Sequence, residues 1–158
     1  MKLLSKITFF FIYVVIVFSF LSCEKENTNI QTIPYTHVYT KVSTITHSIL
    51  GHGGAGTAYI DKDSFGRKIG YRGHGIFVTK IDNDTFYAFD ATCTNHNTDY
   101  DHTLTFNNEL GLKCPDCEII YNPISGEATN SKNNTPPLQP YRCYNTGNGS
   151  IIIQNIRN

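Results

Sequence analysis

The chain of 158 residues has little charge and no excess of either sign. Its 13 Lys and Arg residues equal its 13 Asp and Glu residues, and charged residues make up 16% of the sequence. Nucleic acids and acidic membrane surfaces attract proteins that carry clustered basic residues. We therefore expect no nucleic-acid partner. The chain also has no internal repeat and no low-complexity tract, which argues against a repeat protein.

The N-terminal apolar run is shorter than a typical membrane-spanning helix. It covers residues 7–21, which is 15 residues, whereas a spanning helix needs about 20. Lys2 and Lys6 precede it, and the small residue Ser22 comes directly after it. A basic start, a short apolar core and a small residue before the cleavage point are typical of a secretory signal peptide.

Cys23 comes next, and the junction resembles the lipobox of bacterial lipoproteins, with Phe20 where the lipobox usually has Leu. The resemblance implies that residues 1–22 are a lipoprotein signal peptide and that Cys23 is lipidated. An uncleaved anchor helix and a plain signal peptide are the alternatives. Residues 23–34 predict a flexible, solvated tether. Their charged start resembles outer-membrane sorting signals, so we expect a lipid-anchored protein of the bacterial envelope, on its periplasmic or surface face.

Residues 35–158 predict one small all-β domain, an antiparallel sandwich or barrel. Short stretches that alternate apolar and polar residues are separated by turns, without a helical period. The predicted strands are 36–46, 75–81, 85–91, 110–113, 118–121, 138–144 and 150–154. Residues 82–84 predict a hairpin turn, and 103–106 is expected to pair with 110–113. In the first strand we expect Val38 and Val42 on one face and Tyr39 and Ile45 on the other.

Several conspicuous residues predict structural roles. The glycine-rich segment 51–56 lacks the Lys and the subsequent helix of a phosphate-binding loop, so we expect a turn. His37, His47, His52 and His74 are interpreted as ordinary structural histidines. Cys143 alternates with its neighbours in a closing strand and is expected to be a buried, small apolar residue.

Four residues predict a metal centre. Cys93 and His96 form a C-x-x-H pair, and Cys114 and Cys117 form a C-x-x-C pair 17 residues later. Two intervening residues let a tight turn direct both side chains at one ion, and two such turns can complete a tetrahedron. We therefore expect the four ligand atoms within roughly 4 Å of one another. His102, in the intervening loop, is a spare candidate ligand.

The same stretch resembles the Rieske iron–sulfur domains. Residues 86–96, FYAFDATCTNH, are similar to their first ligand loop, which has the pattern C-x-H. Residues 112–117, LKCPDC, are similar to their second, which has C-x-x-H. Residues 119–122 with Gly126 are similar to the strand and glycine after the family's second loop, and residues 136–141 to its proline segment. The resemblance covers residues 86–153. It implies a Rieske-type fold with two ligand-bearing loops, 93–96 and 114–117.

The ligands differ from the family pattern in both loops. Asn95 stands where the family has its first His, with His96 one residue later, and Cys117 replaces the second His. Rieske clusters have a raised potential because two imidazoles bind one iron. Three thiolates and one imidazole make the site more negative and lower that potential. The sequence thus predicts a Rieske fold without Rieske electrochemistry.

Three hypotheses remain for the site: a structural zinc ion, a [2Fe–2S] cluster on the same ligands, or disulfides without metal. The signal has no twin arginine, the usual address of proteins exported with their cofactor already bound. This slightly favours zinc, in an envelope lipoprotein with a binding or structural role. The alternative is a membrane-tethered [2Fe–2S] electron carrier beside a redox or other envelope protein partner.

No catalytic residues are predicted. The chain has no room for the large second domain of a Rieske oxygenase, and we find no Ser–His–Asp arrangement. A thioredoxin-like role for the C-x-x-C pair needs a helix after its first Cys. The pair at Cys114 instead lies between strand-like segments.

Overall fold

The described part of the chain is an all-β domain, as predicted. The computed structural model describes residues 32–51, 53–96, 98–109, 111–130 and 135–156. The predicted signal peptide, 1–22, and most of the tether lie outside these ranges. Within them, no helix is long and apolar enough to span a membrane. Two short 3-10 turns, Ser48–Leu50 and Tyr71–Gly73, are the helical elements of the described residues.

The strands of the described residues form two antiparallel sheets. The larger has six strands, in the order β1 (Tyr39–Ser43), β9 (Ser150–Asn155), β8 (Pro140–Asn145), β4 (Phe86–Asp90), β3 (Ile76–Lys80) and β2 (Gly56–Ile60). The smaller has three, in the order β5 (Thr105–Asn107), β6 (Gly111–Lys113) and β7 (Ile120–Tyr121). The smaller sheet carries the predicted ligand loops.

Several of the predicted strands and turns are confirmed. β3 and β4 form the predicted hairpin, in which the Ile81 N–H donates to the Thr85 carbonyl at 3.1 Å. The Asp82 carboxylate accepts the backbone N–H of Thr85 at 2.8 Å, and hydrogen bonds of this kind lower its pKa. β5 pairs with β6, with Phe106 opposite Leu112, as expected for residues 103–106 and 110–113.

The sequence prediction missed one strand and misplaced several ends. β2 comes after the glycine-rich turn, where the sequence predicted only the turn itself. β1 is shorter than the predicted 36–46, although its sidedness is confirmed: Val38 and Val42 are each 4% exposed, and Ile45 is 86% exposed. Contacts with the domain also begin before residue 35, because Ile33 is buried and the Thr32 N–H donates to the Gln139 side chain at 2.9 Å.

The two sheets meet at the centre of the larger one. All five residues of β3 are buried, because both faces of this strand are covered. Ile76 and Val78 belong to a core within the larger sheet, whereas Phe77 lies on the opposite face. Phe77 is paired with Phe89 of β4, and both contribute to a second core with residues of the smaller sheet and its loops.

Gly126, in the turn after β7, packs directly against Phe89 of this second core. Its φ of +74° lies in the left-handed region, and a Cβ there would lie 2.5 Å from Cε1 of Phe89. Its carbonyl accepts the Leu138 N–H at 2.9 Å, which ties the proline segment to this turn. Glycine is required here on both steric and conformational grounds.

Asp90, at the end of β4, joins three parts of the domain. Its carboxylate accepts hydrogen bonds from the Tyr71 N–H and the Tyr141 hydroxyl, both at 2.7 Å, and from the Thr92 N–H at 2.9 Å. The residue is fully buried, and this desolvation raises the pKa of the carboxyl above its ordinary value. Asp90 therefore fixes the start of the first ligand loop relative to β8.

We expect Asp90→Ala to lower the free energy of unfolding by about 3 kcal/mol, because three donors, two of them buried, lose their acceptor. Asp84→Ala, which removes an exposed carboxylate from the β3–β4 turn, is the control and should change it by less than about 0.5 kcal/mol. Urea denaturation followed by circular dichroism measures both. Equal values for the two variants would contradict this role of Asp90.

Candidate metal centre

The first ligand loop connects β4 to β5 of the smaller sheet. Its two ends are joined by two backbone hydrogen bonds, which we call the neck of the loop. The Leu104 N–H donates to the Ala91 carbonyl at 2.7 Å, and the Cys93 N–H donates to the His102 carbonyl at 2.8 Å. These bonds hold Cys93 at the base of the loop, where it is fully buried. His96 lies farther out, and its carbonyl accepts the Tyr100 N–H at 2.9 Å.

The second ligand loop is the tight turn between β6 and β7. The Cys114 N–H donates to the Ile119 carbonyl at 2.9 Å, and the Glu118 N–H donates to the Cys114 carbonyl at 3.1 Å. Cys114 is fully buried and Cys117 is half-buried. Glu118 adopts a φ of 60°, a left-handed conformation that is strained for a residue with a Cβ. The C-x-x-C spacing thus forms a turn, as predicted.

The two loops bring Cys93, His96, Cys114 and Cys117 together. One ligand atom from each lies within 4.8 Å of all the others. The convergence is as predicted, although this spread exceeds the roughly 4 Å that we expected for zinc. The closest contacts cross from one loop to the other: Cys93 Sγ is 3.7 Å from Cys117 Sγ, and His96 Nε2 is 3.6 Å from Cys114 Sγ.

These four side chains fit a metal ion better than a disulfide. All four cysteines of the described residues are free, and 3.7 Å is far beyond the S–S bond length of about 2.05 Å. In a tetrahedral zinc site with bonds of about 2.0–2.3 Å, the ligand atoms are about 3.3–3.8 Å apart. Both cross-loop contacts fall in that range. Thiols and an imidazole are also donors that zinc and iron accept.

Burial opposes ionisation of two of the thiols. It raises the pKa of Cys93 to about 12, and it also raises the pKa of Cys114. Partial burial acts in the same direction on Cys117, but hydrogen bonds from the Ile119 N–H and from the neighbouring thiols outweigh it and lower its pKa. A cation at this position would supply the charge that keeps the buried sulfurs ionised.

Two further polar side chains, Tyr121 and Thr94, lie close to Cys93. The Tyr121 hydroxyl lies 3.6 Å from Cys93 Sγ and 3.1 Å from Oγ1 of Thr94. The Thr94 hydroxyl donates to the Pro136 carbonyl at 2.6 Å, so the proline segment lies over the first loop. Tyr121 and Thr94 are fully buried. The sequence did not single out these two residues, because contacts between distant segments leave no local pattern.

His102, the spare candidate ligand, lies beside the group rather than in it. Its ring stacks on the His96 ring, with centroids 3.7 Å apart and planes inclined by 26°. Its Nδ1 donates to the Asp116 carboxylate at 2.8 Å, and this hydrogen bond is the main cause that raises its pKa. Nothing in the sequence points to Asp116 except its place between the two cysteines of the second loop.

Cys143 and the other histidines that the structure describes are not among the four residues that converge. His37 is exposed and His47 is half-buried, whereas His52 is outside the described residues. His74 has a structural partner, Thr92 Oγ1, at 2.9 Å from its Nδ1. Cys143 is half-buried rather than buried, because it packs at the margin of the larger sheet's core; burial still raises its pKa to about 12.

No protein-family model and no curated protein matches the chain. Among solved structures, the chain is similar to one from the complex of reduced oxygenase and oxidized ferredoxin in carbazole 1,9a-dioxygenase. That match has a TM-score of 0.46 and 16% identity, over 78% of this chain and 98% of that one. The ferredoxin of carbazole 1,9a-dioxygenase from Nocardioides aromaticivorans IC177 gives a TM-score of 0.44 and 16% identity, over 77% of this chain and 100% of that one.

A third solved structure is assigned as the small subunit of an NADH-dependent nitrite reductase from Mycobacterium tuberculosis. It gives a TM-score of 0.41 and 10% identity, over 78% of this chain and 100% of that one. What the structure itself shows is two antiparallel sheets, with loops that bring the four Cys and His side chains together.

Proposed function

We propose that the domain holds one zinc ion on Cys93, His96, Cys114 and Cys117, and that this ion joins the two loops as a structural centre. In this proposal the domain is the binding or structural module of a bacterial envelope lipoprotein, anchored by lipid on Cys23. The observation that carries the zinc proposal is the pair of close cross-loop contacts, between Cys93 and Cys117 and between His96 and Cys114.

The short distances suit one ion, because both cross-loop contacts have lengths that a single tetrahedral zinc would give. A cluster of two irons groups its ligands by iron and separates the groups, since the metal atoms lie between them. Here one atom from each residue lies within 4.8 Å of the other three, which leaves room for a single ion at the centre. Three sulfurs and one nitrogen form a common structural zinc set.

The residues of the chain prepare this site in two ways. The neck of the first loop fixes Cys93 through its N–H, and the β6–β7 turn fixes Cys114 in the same way. Both thiols are fully buried, so water is excluded, and a bound cation would offset the cost of ionising them. The bound ion supplies the positive charge and the tetrahedral directionality that the four donors need.

A [2Fe–2S] electron carrier is the second candidate. The observation that favours it is the similarity of residues 86–96 and 112–117 to the ligand loops of Rieske domains. In that case the protein would pass electrons to a redox partner at the membrane. Colour separates the two candidates, because zinc proteins are colourless and [2Fe–2S] proteins are red-brown.

We expect the full-length protein to contain one zinc per chain by elemental mass spectrometry. Chelation should lower the melting temperature by about 10 °C, because an ion at 1,000 times its Kd adds about 4 kcal/mol. Cys114→Ser should lose the bound zinc and melt at the chelated temperature in both conditions. Cys143→Ser, which removes a thiol outside the site, should retain the zinc. Two irons per chain with a red-brown colour would instead establish the cluster.

For the anchor, we expect Cys23→Ala to shift the protein from the membrane fraction to the soluble fraction of the producing bacterium, because the acceptor of the lipid is lost. Cys143→Ser again serves as the control and should stay in the membrane fraction. Mass spectrometry of the wild-type N-terminus should show cleavage before Cys23 and added acyl mass. An intact N-terminus, with Cys23→Ala still in the membrane, would support the anchor helix.

A further inference from the structure

We propose that His102 is a positioning residue, which holds the His96 imidazole in the orientation that binds the metal. The inference rests on the proposed metal centre and extends it beyond the four ligands. His102 would bind no metal itself; it would restrict the ring of the one ligand that is neither a thiol nor fully buried.

The two imidazoles are in face-to-face contact. Their centroids are 3.7 Å apart and their planes are inclined by 26°. His96 directs Nε2 to Cys114 Sγ, 3.6 Å away, so one edge of its ring faces the metal group while one face is covered by His102. A rotation of His96 away from Cys114 would break the stacking contact, and this contact therefore opposes the rotation.

His102 can do this because it is itself held in place. Its carbonyl accepts the Cys93 N–H at 2.8 Å, which fixes its backbone at the neck of the first loop. Its Nδ1 donates to the Asp116 carboxylate at 2.8 Å, and Asp99 approaches its Nε2 at 3.8 Å. Since Asp116 belongs to the second loop, the His102 ring connects the two loops outside the metal group.

His96 needs such support. Histidines that bind metals usually donate their second ring N–H to a carboxylate or a carbonyl, which fixes the ring. Among the described residues, the polar contact of the His96 ring is the one from Nε2 to Cys114, and Nδ1 has no hydrogen-bond partner. Here the stacked His102 ring fixes the orientation of the His96 ring, as a hydrogen bond does in other metal sites.

The test is a metal titration of the full-length protein after chelation. Cobalt(II) is added first, because its absorption bands report the ligands, and zinc is then added in competition. We expect His102→Ala to weaken zinc binding about 10-fold to 100-fold, the usual effect of losing such support. His102→Phe keeps an aromatic ring and should recover most of the affinity. His37→Ala removes an exposed histidine and should bind as the wild type does.

The cobalt spectrum distinguishes positioning from ligation. At saturating cobalt, the bands of His102→Ala should match those of the wild type, because the three sulfurs and one nitrogen are unchanged. Asp116→Asn, which weakens the hold on His102 but leaves the ring in place, should reduce affinity a few-fold and also leave the bands unchanged. This variant keeps the test informative if His102→Ala does not fold.

Three results would overturn the inference while leaving the metal centre intact: wild-type affinity in His102→Ala, equal weakening in His102→Phe and His102→Ala, or shifted cobalt bands at saturation. The last would make His102 a ligand. A wild-type protein that binds neither cobalt nor zinc would overturn the proposed function and this inference together.

Discussion

The packing of the smaller sheet on Phe77 and Phe89 is the constraint on which the two ligand loops depend. β5, β6 and β7 have only three, three and two residues, so their hydrogen bonds alone would not keep them in place. Leu112, Tyr121 and Leu138 are at most 1% exposed in the core that they share with the two phenylalanines. Cys93 and Cys114 belong to the same core, so the packing also sets their positions.

Cys93 and Cys114 pack in an apolar core, yet a thiol must be ionised to bind a metal. A thiol in an apolar core is stable when neutral, as the raised pKa values of Cys93 and Cys114 reflect. A cation bound as proposed would reverse that preference and join segments that are distant in sequence. It would be linked to folding more closely than at an exposed site, because the same side chains would serve as core residues and as donors.

The sequence predicted the local features well, because local physics determines them. The β3–β4 hairpin results from its turn residues, the sidedness of Val38 and Val42 from the period of two, and the two ligand turns from the spacing of their donors. The sequence did not predict β2, because Gly56 and the glycines before it indicate a turn, whereas the strand forms by pairing with β3, which is distant in sequence.

The surroundings of the site were beyond such reasoning. Tyr121 reaches Cys93 across 28 positions, and Thr94 reaches Pro136 across 42, so only the folded chain brings them together. His102 was considered as a ligand from its position in the loop. The ring that stacks on His96 also donates to the Asp116 carboxylate of the other loop, and the C-x-x-C pattern says nothing about the residues between its cysteines.

The central claim is that one ion occupies the space between the two loops. X-ray absorption spectroscopy of the full-length protein, purified from its own envelope, tests it most directly because it reports the element and its neighbours. We expect zinc with three sulfurs at about 2.3 Å, one nitrogen at about 2.0–2.1 Å and no second metal nearby. An iron signal with a neighbouring iron and bridging sulfides would contradict it.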